Sequence, residues 1–314
     1  MTLTDKLYPL FIFTAAAIGL SLSLVEFLHN SSGFLLTPFL MGMLYFTFLQ
    51  LPVKKVKAGL QHKSFAGASL LLNFVWTPLL AWVLAMIFLS GQPGLWLGFI
   101  MLLVTPCTDW YLIFTRLSKG NTALSASVLP LNLLLQLLLL PVYLLLFSGK
   151  AAFVEPAFLF ESILLVLAVP LILAVVTQAV LKNDKRKSVI KKTEGLPLFL
   201  LCMAVAAMFT ANGSVLIKNL EVIILLVLPL LCFFVINIAV SQLTGRLLGF
   251  APPEKISLSF TVIARNSPIA LAIAVTAFPD QPYTALALII GAMLELPMLA
   301  FLSHILRRIK RRTP

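Results

Sequence analysis

Apolar runs of about the twenty residues that a helix needs to cross a hydrocarbon core of about 30 Å recur ten times along this 314-residue chain. They fall near 7–28, 34–51, 66–90, 95–116, 122–148, 157–181, 195–212, 220–244, 255–278 and 283–306. In hydrocarbon every backbone amide must find its partner within the chain, so only helices and closed barrels can span, and uninterrupted runs of this length read as helices. Composition agrees, because 61% hydrophobic and 11% charged residues with a mean hydropathy of +1.06 lie far from soluble domains. The expectation is an all-α integral membrane protein whose ten transmembrane helices use up the chain and leave no soluble domain.

The net charge of +12 would suggest nucleic acid only if the basic residues shared a surface. They alternate by side instead. With the N-terminus inside, twenty of the 23 Lys and Arg fall on cytoplasmic segments, among them Lys54, Lys55 and Lys57, the stretch from Lys182 to Lys192, and the tail from Arg307 to Arg312. Lys150 and Lys218 fall outside and Arg265 stays within the membrane, a positive-inside pattern that places both termini in the cytoplasm of a cell (plasma or inner) membrane protein. The first segment is too long for the apolar core of a signal peptide and is expected to be retained. Cys107, Cys202 and Cys232 all lie within spans and imply no disulfide framework. His29, His62 and His304 stand singly at span edges without metal-ligand spacing, and no phosphate-binding loop or dinucleotide fingerprint is present. No metal, cofactor or nucleic-acid partner is therefore expected, and with no nucleophile–base pair visible the chain does not read as an enzyme.

Between spans 5 and 6, near Gly149–Pro156, the chain divides into repeat 1, residues 1–149, and repeat 2, residues 150–314. Five spans is an odd number, so the second half enters the membrane from the opposite side, the layout of inverted-topology repeats. Both halves are broken in their fourth span, at Thr105-Pro106-Cys107-Thr108-Asp109-Trp110 and at Ala264-Arg265-Asn266-Ser267-Pro268. Both fifth spans carry a proline with a polar neighbour, Pro141 with Gln136 and Pro297 with Glu295. Paired interruptions of this kind point to a transport site near the midplane.

Pro106 and Pro268 donate no N–H and crowd the carbonyls of residues 102 and 264, so each span is expected to kink or unwind. The carbonyls so released must be met by a neighbouring segment, water or solute. An ionised side chain at this depth costs about 2.5–3.5 kcal/mol on insertion scales and marks a functional site by default. The candidate substrate-binding residues are therefore Cys107, Thr108, Asp109, Arg265, Asn266 and Ser267, with Asp109, Arg265 and Glu295 as coupling residues and Pro106 and Pro268 as the breaks. Asp109 and Arg265 are expected to face one another, either as an ion pair locking the fold or as a coupling and binding pair. Cys107 is either a small apolar filler or a soft donor. Glu295 either lines the site or pairs at a helix end, and Trp76, Trp82 and Trp110 read as packing or interfacial belt residues.

Pro106-Cys107-Thr108, the turn Leu117-Ser118-Lys119-Gly120-Asn121 and the segment Arg265-Asn266-Ser267-Pro268-Ile269-Ala270-Leu271-Ala272-Ile273-Ala274 resemble the bile acid:sodium symporter superfamily, most closely its arsenical-resistance arsenite permease branch. The resemblance implies a secondary transporter with a panel and a core domain, in which broken helices 4 and 9 cross and the substrate sits beside the crossing. It implies that Cys107 is the functional thiol. The acidic residue and glutamine that flank the span 9 break in the sodium-coupled branch correspond here to Thr261 and Arg265. A guanidinium does not deprotonate in proteins and would occupy the place of a cation permanently. Where the arsenite branch has a glutamate after that break, this chain has Ala270, and Asp109 stands as the replacement from the other half.

These features together lead us to expect a secondary active transporter working by alternating access, exporting arsenite or antimonite with proton exchange rather than sodium as the driving reaction. The readings left beside it are uptake of a small organic anion paired with Arg265 and, from another class, a channel or membrane sensor. The sequence leaves oligomeric state open. Reporter fusions check the topology: a C-terminal fusion and one within the loop 182–194 should both report the cytoplasm, and an external signal from either would overturn the five-plus-five layout.

Overall fold

In a computed structural model that describes residues 3–50, 62–107, 110–147, 156–181, 183–193, 195–218 and 220–312, the described chain is helical. The helices are α1 (Leu3–Leu22), α2 (Glu26–Gln50), α3 (Lys63–Leu71), α4 (Thr77–Phe88), α5 (Pro93–Leu103), α6 (Trp110–Leu117), α7 (Thr122–Phe147), α8 (Pro156–Val180), α9 (Asn183–Lys192), α10 (Leu196–Lys218), α11 (Leu220–Leu247), α12 (Pro252–Ile263), α13 (Ser267–Ala277) and α14 (Pro282–Arg312). Among the described residues four stretches are long and apolar enough to cross a membrane, Lys63–Phe88, Thr122–Phe147, Ile224–Leu247 and Pro282–Arg307, and the remaining apolar helices include shorter ones such as Pro93–Leu103 and Ser267–Ala277. Those two short helices lie in the segments whose sequence carries Pro106 and Pro268. The most charged stretch between apolar segments forms the short helix α9.

The chain packs as two compact units that each draw on both halves of the sequence. The first comprises residues 1–51, 154–222 and 268–289 and the second residues 52–153, 223–267 and 290–314. In the first unit α10 packs against α1 and α2, and α2 packs against α8. The approach of α1 to α10 rests on small residues, as is usual where membrane helices meet closely. A Cβ placed on Gly19 would collide with the Ala206 carbonyl oxygen and come within 2.8 Å of the Phe209 Cβ. The Thr210 hydroxyl crosses the same seam to the Gly19 carbonyl at 3.2 Å. At the other end Gln178 donates to the Leu49 carbonyl at 2.9 Å, and the Tyr45 and Thr177 hydroxyls meet at 3.0 Å.

In the second unit a buried cluster of Phe65, Leu72, Leu124, Val128, Leu258 and Val262 brings α3, α7 and α12 together. The turn from α6 to α7 is pinned to this cluster. Lys119 takes a left-handed conformation, φ 61°, Gly120 N–H returns to the Thr115 carbonyl at 2.8 Å, and the Ser257 hydroxyl donates to the Asn121 carbonyl at 3.0 Å.

The third apolar run contains a feature that period alone does not announce: α3 passes into α4 through a π-helical turn at Leu72–Trp76, closed by Thr77 N–H on the Leu72 carbonyl. Pro78 is the physical reason. It has no N–H for the Phe74 carbonyl, and the Tyr143 hydroxyl supplies the missing donor at 2.6 Å. Single π-turns of this kind often mark functional positions.

Gly19→Val should lower thermal stability by about 1–3 kcal/mol, the usual cost of overpacking a closed seam. Gly67→Ala meets nothing within 4 Å and gains up to about 1 kcal/mol of helix propensity. Melting curves in detergent distinguish the two, and equal responses would show that the α1–α10 seam is not closed.

Candidate functional site

Two helices of the second unit end abruptly, and their broken ends lie against each other. Helix α5 stops at Leu103 and α12 at Ile263, and the extended residues that follow pair as a single antiparallel bridge between Pro106 and Arg265. Asn266 N–H donates to the Thr105 carbonyl at 2.7 Å and Cys107 N–H to the Ala264 carbonyl at 3.0 Å. The crossing of the two broken segments is therefore a backbone structure, closed by two hydrogen bonds that neither helix could make while intact.

Where a helix ends inside hydrocarbon its last carbonyls need donors, and at the end of α5 they can be named. The Thr105 hydroxyl donates to the Met101 and Leu102 carbonyls at 2.9 and 3.0 Å, taking up the oxygen that Pro106 leaves without an N–H. The Arg265 guanidinium takes the next carbonyl, Leu103, through Nη1 at 3.0 Å. A cation at a helix C-terminus also meets the negative end of the helix dipole. On the other helix the Thr261 carbonyl accepts from Asn73 Nδ2 at 3.2 Å.

Arg265 is the organising side chain. Only 1% exposed, it spreads its donors between the Leu103 carbonyl and Asn73 Oδ1, the latter 3.0 Å from Nη2. The Phe233 ring lies 5.3 Å from its Cζ, within cation–π range. Its Nε has no hydrogen-bond partner among the described residues. Glu295, 3% exposed on α14, accepts the backbone N–H of Arg265 at 2.7 Å, so a buried carboxylate is held at the residue that carries the guanidinium. Cys107 is also buried, at 4%, and its Sγ accepts from Trp110 N–H at 3.2 Å, at the start of α6.

Of the residues expected from sequence, Cys107, Arg265, Asn266 and Glu295 come together at the crossing, while Thr108 and Asp109 lie outside the described residues. The carboxylate that the described residues bring to Arg265 is Glu295. Pro106 sits in the unwound segment itself. Pro268 does not: it occupies the first turn of α13, which begins at the buried Ser267. A missing N–H is harmless there, so the break on this side is made by Ala264–Asn266 and Pro268 restarts the helix after it.

Asn73 is the site residue that sequence reasoning missed. It is fully buried within the π-turn and joins the end of α12 to Arg265. The signal was present as a lone amide in Leu71-Leu72-Asn73-Phe74, because polar side chains at bilayer depth are seldom incidental.

Comparison with known proteins adds an independent observation. Residues 37–219, more than half of the chain, match the Sodium Bile acid symporter family, and the chain belongs to that family and is a membrane transporter. It is 27% identical to the arsenical-resistance protein Acr3 of Corynebacterium glutamicum over 96% of this chain and 88% of the relative. It is 23% identical to the arsenical-resistance protein Acr3 of Alkaliphilus metalliredigens over 69% of this chain and 62% of that one. The protein YocS of Bacillus subtilis, named as a sodium-dependent transporter, is 28% identical over 53% of this chain and 50% of its own.

A double-mutant cycle tests the central group. Arg265→Gln and Glu295→Gln should each destabilise by about 3–5 kcal/mol, the cost of leaving a buried charge without its partner, and the double change should cost clearly less than their sum. Additive losses in thermal unfolding would mean that the two charges do not act as a pair.

Proposed function

We propose that this member of the Sodium Bile acid symporter family is a secondary active carrier that exports arsenite or antimonite in exchange for protons by alternating access. The observation that carries the reading is the crossing itself: two interrupted helices meet through their backbones with a buried thiol and a buried Arg–Glu group beside the meeting point. A packed structural protein has no use for such a break, whereas a carrier uses it to present polar groups at mid-depth. The fold supporting it is ten spans in two inverted five-helix repeats, 1–149 and 150–314, in the cell membrane with both termini cytoplasmic. The helices α1 and α2 of the first half and α8 and α10 of the second share one compact unit, as related repeats would.

In this reading Cys107 supplies the soft sulphur donor for a trivalent metalloid. The thiol replaces one hydroxide of the undissociated acid and water is released, and a single sulphur bond leaves exchange reversible. Thr108, Asp109, Asn266 and Ser267 complete the substrate side, and Asp109, Arg265 and Glu295 carry coupling. Arg265 fixes a positive charge on the oxygens of Leu103 and Asn73, acceptors of the kind an alkali cation would use, which favours the proton over sodium.

Transport into everted vesicles tests this. Arsenite should accumulate when the interior is acid, with no response to sodium. Cys107→Ser should reduce that uptake to background while Cys202→Ser and Cys232→Ser retain it. Undiminished arsenite transport by Cys107→Ser would remove the thiol from the mechanism, and sodium-driven uptake of an organic anion in place of arsenite would replace the proposal.

A further inference from the structure

Two amides on α7 are buried without any partner among the described residues. Asn132 and Gln136 are fully buried, and none of their four side-chain polar atoms makes a hydrogen bond there. Buried polar groups are nearly always paired, and each exception calls for an explanation such as a ligand or water taken up in another state. A solitary orphan would mean little. Here two donors and two acceptors stand one helical turn apart, on a single stripe of one helix.

The position of that stripe follows from its neighbours. At about 100° per residue, Val128, Asn132, Gln136 and Tyr143 fall within an arc of about 80°. Val128 belongs to the cluster that includes Leu72 and Val262, and the Tyr143 hydroxyl holds the Phe74 carbonyl. One end of the stripe therefore shares a cluster with Leu72 of the π-turn and the other bonds its Phe74 carbonyl, and that turn carries Asn73, the residue bonded to Arg265. Arg265 Nε and Thr77 Oγ1, the latter adjoining the same turn, are further buried polar atoms without partners among the described residues.

We infer that Asn132 and Gln136 form the hydroxyl-binding side of the transport site, taking up the OH groups of a small neutral oxyacid, and that the structure is a state in which this side is closed over. The inference rests on the carrier reading and names the part of the site opposite in chemistry to the thiol. A carboxamide offers a donor and an acceptor of no net charge, the complement of a hydroxyl, which both donates and accepts. An anion would find no charge on this stripe to balance it. A cation would meet two acceptors accompanied by two donors. An undissociated acid such as arsenite, with several hydroxyls around one centre, can satisfy both amides at once. In the closed state the amides have no partner among the described residues, so opening and binding are favoured over remaining shut.

The test uses the full-length protein in detergent, with arsenite as the probe in a thermal-shift titration and uptake measured in parallel vesicles. Replacing both amides by apolar groups of similar size, Asn132→Leu with Gln136→Leu, should leave the unliganded melting temperature unchanged or raised, because unpaired buried amides are removed. The apparent affinity for arsenite should fall at least about tenfold, the effect of two lost hydrogen bonds. If the double change does not fold, Asn132→Ala and Gln136→Met taken singly carry the same expectation. Arsenite binding and uptake at wild-type strength in these variants would overturn the inference and leave the carrier reading intact. A wild-type protein that neither binds nor moves arsenite would overturn both.

Discussion

A guanidinium holding the end of a broken helix is the interaction on which the second unit depends. Helix α5 stops at Leu103, and Pro106 lacks the N–H that the Leu102 carbonyl would otherwise accept. A helix stopped in hydrocarbon leaves carbonyls that cost several kcal/mol each unless met. Thr105 meets two of them, and Arg265 the third. Arg265 reaches that carbonyl because its own helix, α12, stops at Ile263 and gives way to extended backbone. Each break thus supplies the donor that makes the other tolerable. Removing only one break would leave either an unmet carbonyl or an unpaired cation, so the two interruptions are physically one feature.

The charge of Arg265 then dictates its surroundings. Taken alone it would be among the most expensive groups a membrane interior can hold. Glu295 balances it, Asn73 and Leu103 accept its hydrogen bonds, and the Phe233 ring lies within cation–π range. These groups come from the π-turn, the end of α5, α11 and α14. A single buried cation therefore fixes the positions of segments far apart in the chain, and explains why a lone asparagine sits in a turn otherwise made of Leu, Phe, Val and Trp. The π-turn serves the same end. By shifting the helical phase over Leu72–Trp76 it lets Asn73 reach both Arg265 and the Thr261 carbonyl.

Which of this is legible in the sequence follows from the kind of signal each feature leaves. Apolar runs report helices directly, because length and hydropathy are sums over many residues, and the described helices fall on each of them. The breaks are legible from prolines coinciding with charges. Their pairing is an inference from repeat position, and the backbone bridge between Pro106 and Arg265 gives it atomic form. Pairwise contacts are not legible in the same way. Proximity to prolines matches Asp109 to Arg265, a pairing that lies outside the described residues, and it does not reveal that Glu295, thirty positions along the chain, accepts the Arg265 backbone N–H. Asn73 escapes notice since one amide scarcely alters a window average. Pro268 reads as a breaker from its spacing, yet a proline one residue into a helix starts it, and spacing alone does not distinguish the two roles.

The balance of donors and acceptors also separates what is fixed from what can move. At the crossing the backbone groups of Thr105, Cys107, Ala264 and Asn266 are satisfied by one another, and the Arg265 head is held on two sides, so this part behaves as a rigid joint. Along α7 the polar atoms of Asn132 and Gln136 have nothing to hold among the described residues. A carrier needs both properties at once. Its site must be built firmly enough to select a solute, and no state of it can be so well satisfied without solute that the protein stays there. The paired carbonyls supply the first condition. In the carrier proposed above, the amides that lack partners among the described residues would supply the second, because a state that buries them without partners is raised in free energy relative to any state in which hydroxyls or water reach them.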